Sequence, residues 1–376
     1  MKTLKKIESF DVSELERLLA PVWETSEILR ETGLIVGEEG SIKLLKTPTQ
    51  GCVEVKNIFA DVLYEEGVDF KLEGDKIKRI AGGALPFFKT DDYFRKEPNS
   101  QTILKADPSK IEFSFPEERY IYFSEGVDCF EKYVTISYRA EEKDGANADK
   151  GLIVGDSRVS GFVEKLRKGQ SANVLLYGDS ITVGCNATGT EYGGNVSPYQ
   201  PAWSGLVKLY LEKKYGAEIA ICNQAVGGWS SLNGIESFEE KCGDVLETTD
   251  LFCIGFGAND LYTEPEQFKK NLAGMIDGYL QKNPAGNVLL YSCLLPNEQA
   301  VGWRTNQPLF EKALIELADG YSRVGVAEVS TVFLWAEAQG KPTRDLLANS
   351  VNHPNDFGVR LYAQTLLKTI LGDEFV

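Results

Sequence analysis

The sequence predicts an α/β chain in two parts. Residues 1–168 are expected to form an antiparallel β-sandwich, jelly-roll-like domain, and residues 169–376 a three-layer domain with a mostly parallel sheet. Two observations predict this. Short alternating or β-branched runs separated by turns fill the first part, which is typical of a sandwich. Apolar strands alternate with longer helical stretches in the second part, which indicates a parallel sheet covered on both faces.

The first part is predicted to begin with a short helix from Asp11 to Leu19, capped by Asp11 or Ser13. Strands are predicted after it at 52–55, 68–72, 120–123 and 133–138. The triplet Glu73-Gly74-Asp75 predicts a hairpin turn. The charged stretch 141–148 is expected to be an exposed loop.

The second part is predicted to alternate regularly between strands and helices. Strands are expected at 173–177, 218–222, 250–256, 287–293 and 323–327. Helices are expected at 202–214, 235–246, 265–282, 307–319 and 357–371. Pro284 ends the third of these helices, because proline disfavours helical backbone at the residue before it.

Composition excludes several classes of protein. The formal net charge of -16 argues against binding to nucleic acid and to anionic membrane surfaces. No run is long and apolar enough to span a bilayer, and no apolar segment of a secretory signal follows Met1. The seven scattered cysteines include no C-x-x-C pair, which indicates reduced thiols. We therefore expect a cytoplasmic protein with no metal or other cofactor; the sequence does not indicate its oligomeric state.

One predicted strand ends abruptly at Gly178-Asp179-Ser180, the place where open α/β sheets bind ligands. A serine hydroxyl becomes a nucleophile when a base takes its proton, and histidine is the usual base. The chain holds one histidine, His353, next to Pro354. From these residues alone, a serine helix cap and a surface turn are the alternative interpretation.

Four segments in order resemble the sequence blocks of the SGNH, or GDSL, hydrolases, over about residues 170–376. The segments are Gly178-Asp179-Ser180, Asn223 to Gly228, Gly257-Ala258-Asn259-Asp260 and His353-Pro354. The resemblance implies that Ser180 is the nucleophile and His353 the base. It also implies an oxyanion hole made by the N–H groups of Ser180 and Gly228 and the side chain of Asn259. Glycine lets backbone approach a ligand closely, and an asparagine amide donates without adding charge.

The chain departs from the family pattern at the acid that orients the histidine. That acid normally lies three residues before the histidine, where this chain has Ser350. We expect a Ser–His dyad whose imidazole is oriented by a neutral acceptor, either a side chain such as Ser350 or a backbone carbonyl. Asp345 and Asp356 are the nearby carboxylates that could replace the missing acid.

The two-part plan resembles carbohydrate esterases that join a jelly-roll domain to an SGNH domain. The resemblance implies removal of a small acyl group, O-acetyl, from an acetylated oligosaccharide. Aromatic side chains suit the apolar faces of sugar rings, and Tyr192, Trp203, Trp229 and Trp303 are the candidate substrate contacts. A lipase or thioesterase of the same fold and an inactive glycan-binding protein are the alternatives. The Gly- and Asn-rich segment after Ser180 disfavours the lipase.

Overall fold

A computed structural model describes residues 1–99, 103–141 and 149–375. Within these ranges, none of the helices has the length and apolar character needed to cross a membrane. All seven cysteines are described, and each is a free thiol.

The N-terminal region contains antiparallel strands in sheets ordered β1-β5-β4-β10-β2, β3-β7-β6 and β8-β9. The strands are β1 (Lys2–Thr3), β2 (Glu27–Leu34), β3 (Ser41–Lys43), β4 (Pro48–Asn57), β5 (Val62–Tyr64), β6 (Phe70–Glu73), β7 (Lys76–Arg79), β8 (Phe94–Arg95), β9 (Tyr120–Ile121) and β10 (Tyr133–Ala140). Two short helices, α1 (Leu15–Leu19) and α2 (Thr90–Tyr93), accompany them.

Local sequence signals in this region are confirmed. The Asp11 side chain accepts a hydrogen bond from the Ser13 N–H at the start of the first helical turn. Strands β6 and β7 pair with Glu73 opposite Lys76, so Gly74 and Asp75 form the hairpin turn. The antiparallel sheets agree with the expected fold class, whereas the jelly-roll connection stays a prediction. Most of the loop expected at 141–148 lies outside the described residues.

The C-terminal region holds the expected parallel sheet, ordered β12-β11-β13-β14-β15. Its strands are β11 (Ala172–Gly178), β12 (Ile219–Asn223), β13 (Leu251–Gly255), β14 (Asn287–Tyr291) and β15 (Val324–Ala327). Its helices are α3 (Ser160–Arg167), α4 (Ser180–Val183), α5 (Trp203–Tyr215), α6 (Ser231–Glu236), α7 (Phe238–Cys242), α8 (Pro265–Lys282), α9 (Gln307–Ala318), α10 (Val329–Ala338) and α11 (Asp356–Leu371). The α/β class is thus confirmed.

Several helices differ from the sequence prediction, and the short helices α3 and α4 were not among those expected. The helix expected at 235–246 is divided into α6 and α7, and α6 begins at Ser231 because Ser230 and Asn233 form a capping box. Helix α10 was not predicted. Its residues are mostly apolar and buried, and an apolar run that follows a strand this closely carries no clear helical period.

The strand order fixes where a ligand can bind. Strand β11 lies between β12 and β13. The connection after β11 leads to its neighbour on one side, and the connection after β12 leads to its neighbour on the other side. In open α/β sheets such a switch point opens a crevice at the carboxyl ends of the strands. Gly178 ends β11 there, and a Cβ atom on it would lie 2.2 Å from the Gly255 carbonyl oxygen. Only glycine fits this close approach.

Helix α11 is buried along its whole length and contacts residues of both regions. The Arg360 guanidinium donates to the carbonyl oxygens of Leu29 and Arg30 on strand β2, each at 2.7 Å. The Gln364 side chain accepts from the Val22 N–H at 3.3 Å. One hydrophobic core therefore extends through both regions, and the domain boundary at 168/169 stays a prediction.

A buried ionic cluster strengthens the same junction. The Lys341 Nζ lies 2.8 Å from Glu31 Oε1 and 3.3 Å from Asp345 Oδ2, and all three side chains are at most 1% exposed. Burial acts to lower the pKa of Lys341, but the two carboxylates outweigh it and raise that pKa above the ordinary lysine value. The ammonium group therefore stays charged and compensates the carboxylates in the core.

Candidate active site

Ser180 lies at the carboxyl end of the parallel sheet, in the first turn of the short helix α4. The helix begins after Asp179, whose side chain accepts from the Ile181 N–H at 2.9 Å. It ends at Gly184, where the left-handed backbone (φ 93°) turns the chain away. These two signals hold the Ser180 hydroxyl at the end of β11, where the sequence predicted it.

His353 is held by the loop that precedes α11. The Asn349 Oδ1 accepts hydrogen bonds from the N–H groups of Val351, Asn352 and His353, at 3.0–3.1 Å. This network directs the imidazole toward the nucleophile, and His353 Nε2 lies 2.8 Å from Ser180 Oγ. The distance is that of the hydrogen bond a serine nucleophile and its base require.

The other imidazole nitrogen contacts two oxygen atoms. His353 Nδ1 lies 2.7 Å from Asn186 Oδ1 and 3.1 Å from Glu125 Oε2. The Asn186 Nδ2 donates to the Gly126 carbonyl at 3.1 Å, which orients the Asn186 oxygen toward the ring. Nδ1 therefore carries the proton and Nε2 accepts from the Ser180 hydroxyl, the arrangement that general-base catalysis needs.

The named candidates Ser350, Asp345 and Asp356 do not hydrogen-bond the imidazole, whereas Asn186 Oδ1 supplies a neutral side-chain acceptor of the expected kind. Ser350 has left-handed backbone (φ 68°), and its carbonyl accepts from Asn297 at 2.9 Å. Asp345 accepts from the Leu34 N–H and pairs with Lys341. Asp356 accepts from the N–H and hydroxyl of Thr188, at 2.9 and 2.6 Å. The two aspartates thus stabilise loops and the core.

The ionisable groups around Ser180 and His353 have pKa values shifted in different directions. Burial acts to raise the pKa of Glu125, but the hydrogen bond and charge of His353 and the bond from Asn349 together lower it below its ordinary value. Burial raises the pKa of Asp179 to about 7. Burial also raises the pKa of the Cys185 thiol to about 12, so this neighbouring cysteine is not a thiolate nucleophile at neutral pH.

The predicted oxyanion donors lie around the same hydroxyl. Gly228 has left-handed backbone (φ 80°) with open space where a Cβ would point. Within the described chain, the N–H groups of Ser180 and Gly228 donate to no other protein group. The Asn259 Nδ2 donates to the Trp229 carbonyl at 3.1 Å, which fixes the amide and leaves its second N–H. Such fixed donors stabilise a developing oxyanion.

All these groups open into one cleft with a volume of about 590 Å³. The residues lining it are Phe123, Glu125, Gly126, Ser180, Cys185, Asn186, Tyr192, Gly227, Gly228, Asn259, Trp303, Asn352 and His353. Sequence reasoning missed Phe123, Glu125 and Gly126 because they follow strand β9 in the other half of the chain. It also missed Asn186. An asparagine in a Gly- and Asn-rich loop often adopts left-handed backbone, as Asn186 does (φ 65°), and this composition could have marked it as a candidate.

The four candidate aromatic contacts divide into two pairs. Tyr192 and Trp303 line the cleft as expected. The structure corrects the other two. Trp203 is only 2% exposed, and its Nε1 donates to the Ile181 carbonyl at 3.1 Å beneath the site. The Trp229 ring packs edge-on against Tyr177, with ring centroids 6.4 Å apart. Trp203 is thus a core residue, and Trp229 is half-buried outside the residues that line the cleft.

We expect Asn259→Ala and Gly228→Val each to lower kcat by roughly a hundredfold, because each removes or displaces one oxyanion donor. Asn283→Ala is the matched control, since Asn283 also donates from its side chain to a carbonyl, that of Thr249 at 2.7 Å, at the opposite end of the sheet. Steady-state kinetics and urea unfolding would be measured for all three variants. Unchanged kcat per folded molecule in the first two would show that these residues only support the fold.

Residues 176–361 match the family model described as GDSL-like Lipase/Acylhydrolase family. The chain contains a GDSL-like acylhydrolase domain. The match includes the sequence blocks around Ser180, Gly228, Asn259 and His353. The resemblance to SGNH hydrolases is therefore confirmed.

Solved structures similar to this chain include a two-domain esterase active on acetylated mannans. It has 20% sequence identity and a TM-score of 0.48, with 60% of this chain and 56% of that chain covered. The same esterase co-crystallised with mannopentaose gives 20% identity, a TM-score of 0.46, and coverage of 57% and 54%. A catalytic mutant of an acetylxylan esterase from Geobacillus stearothermophilus gives 17% identity, a TM-score of 0.43, and coverage of 54% and 96%. The chain spans about half the length of the two-domain esterase. No curated protein matches the chain.

Proposed function

We propose that this acylhydrolase is a serine esterase that removes O-acetyl groups from carbohydrates, acting on acetylated oligosaccharides. The family domain and the site together support hydrolysis of a carboxylic ester. The observation that carries the proposal is the 2.8 Å contact between Ser180 Oγ and His353 Nε2, made inside an open cleft that also holds the oxyanion donors. Nucleophile, base and donors are the groups that acyl transfer requires.

The proposed reaction passes through an acyl-enzyme. His353 Nε2 takes the Ser180 proton as Oγ attacks the ester carbonyl, and the N–H groups of Ser180 and Gly228 with the Asn259 amide bind the oxyanion. Collapse of the tetrahedral intermediate breaks the bond to the sugar oxygen, which receives the proton from His353. Water then attacks the acetyl-serine with His353 again as base. The bond between Ser180 Oγ and the acyl carbon breaks, Oγ takes the proton back from His353, and acetate leaves.

The cleft lining favours a short acyl group on a sugar. Within the described chain, no leucine, isoleucine, valine or methionine lines the cleft, although a long acyl chain would require such an apolar surface. The aromatic side chains that line it are Phe123, Tyr192 and Trp303, and asparagines lie between them. Aromatic faces pack against the apolar faces of sugar rings, and amides bind their hydroxyl groups.

A chain-length series of p-nitrophenyl esters tests the proposal, followed by acetate release from acetylated manno- and xylo-oligosaccharides. We expect the highest kcat/KM with the acetyl ester and release of acetate from at least one oligosaccharide class. A rate that rises toward the octanoyl ester would instead indicate a lipase or thioesterase. Absence of any turnover, together with glycan binding, would indicate an inactive glycan-binding protein.

A further inference from the structure

We infer that Glu125, supplied by the N-terminal region, is the acidic positioning residue for His353 in the esterase reaction proposed above. This inference rests on the proposed function and names a residue that the family pattern does not place. The carboxylate oxygen Oε2 lies 3.1 Å from His353 Nδ1, on the side of the ring opposite Ser180. That is the position an acid must take to act on the imidazole.

Two acceptors share Nδ1, and they differ in charge. Asn186 Oδ1 is closer, at 2.7 Å, and is 1% exposed, so it fixes the ring orientation and the tautomer. Asn186 is neutral, however, and gains little when the imidazole becomes an imidazolium. Glu125 is the anion at hydrogen-bond distance, and an anion stabilises the positive charge that forms as serine attacks.

The carboxylate is held in place by the histidine loop itself. Glu125 Oε1 accepts from Asn349 Nδ2 at 3.2 Å, and the Oδ1 of the same Asn349 accepts from the His353 N–H. The next residue, Gly126, has left-handed backbone (φ 81°) and accepts from Asn186. Asn349 and Asn186 thus both hydrogen-bond the segment that carries Glu125. An incidental surface ion pair would not have these additional bonds.

Solvent limits how strongly the Glu125 charge stabilises the His353 imidazolium. The Glu125 side chain is 52% exposed, so water and salt screen its charge. Other ionisable groups near the pair are Asp179 below Ser180, Cys185 in the cleft and Cys129 behind Glu125. Burial raises the pKa of both thiols to about 12, so they stay neutral at working pH. Asp179 and Glu125 are therefore the acids whose ionisation affects the imidazole.

The test uses Glu125→Gln, which keeps an acceptor of the same size and removes the charge. Glu131→Gln is the matched control, because Glu131 follows in the same region, is exposed, and loses the same charge away from His353. The chain has one histidine, so its imidazole signals in NMR are assigned without ambiguity. Kinetics with p-nitrophenyl acetate and NMR titration of the histidine would be measured for wild type, both variants and Glu125→Asp.

We expect Glu125→Gln to lower kcat by about tenfold with little change in KM. We also expect it to shift the acidic limb of the pH–rate profile and the NMR midpoint to lower pH, because an anion beside the imidazole is removed. Glu131→Gln should match wild type, and Glu125→Asp should recover part of the loss. Wild-type kcat and an unchanged midpoint in Glu125→Gln would overturn the inference. A wild-type protein without ester turnover would overturn the proposed function, while the NMR titration would still decide whether Glu125 acts on His353.

Discussion

Replacement of Ser180 by alanine is expected to lower kcat for ester hydrolysis by about a thousandfold or more, with the fold intact. The hydroxyl is the nucleophile of the proposed reaction, and loss of one member of a nucleophile–base pair removes most of what the pair contributes. Ser180 is 6% exposed in a short helix capped by other residues, so removal of its oxygen leaves the turn in place. Single-turnover kinetics and urea unfolding would measure both effects.

The control for that variant is Ser13→Ala. The Ser13 hydroxyl also donates a hydrogen bond, to Asp11 Oδ1 at 2.6 Å, but it lies in the exposed first turn of the N-terminal helix. This variant should keep wild-type turnover with a small loss of stability. If Ser180→Ala also kept near-wild-type turnover, a different group would have to be the nucleophile.

Replacement of Lys341 by methionine is expected to destabilise the protein by about 3–5 kcal/mol. The ammonium group compensates the buried carboxylates of Glu31 and Asp345, and it donates to the Thr32 carbonyl at 2.6 Å. Methionine fills a similar volume but removes the positive charge that compensates the two buried carboxylates. Urea unfolding near neutral pH would measure the loss.

Lys312→Met is the control, because Lys312 pairs with Glu316 at 3.8 Å while its side chain is 83% exposed. Exposed ion pairs contribute little to stability because water and salt screen them. The double variant Lys341→Met with Glu31→Gln should recover part of the stability, since it removes one uncompensated charge. Equal stability of Lys341→Met and wild type would mean that the cluster contributes nothing to the junction.

The strands of the parallel sheet, Ser180 and His353 were predictable because each has a local signal. Apolar runs mark the strands, a Gly-Asp-Ser turn marks the nucleophile, and a sole histidine leaves one candidate base. The partners of His353 had no such signal. Glu125 lies 228 residues from His353 in the sequence, and a carboxylate on a loop has no periodicity that would single it out. The nearby Asp345 and Asp356 were poor guides, since proximity in sequence does not fix the direction of a side chain.

The aromatic candidates illustrate the same limit. Trp203, Leu206 and Tyr210 recur at helical spacing on α5, and all three are buried, so the pattern could have placed Trp203 in the core. Trp303 lies on a loop without such a pattern, and only the fold brings it to the cleft with Tyr192. Helical side chains are thus assigned to core or surface by periodicity, whereas loop side chains need the folded chain.

The burial of α11 against strand β2 also constrains the order of events during synthesis on the ribosome. The bond from Arg360 to the Arg30 carbonyl joins residues 330 positions apart. At about 5–20 residues per second, β2 waits roughly 15–70 seconds for its covering helix to be made. Until then, the buried side chains of β2 lack the helix that covers them, so this strand reaches its native packing only after nearly the whole chain has been made.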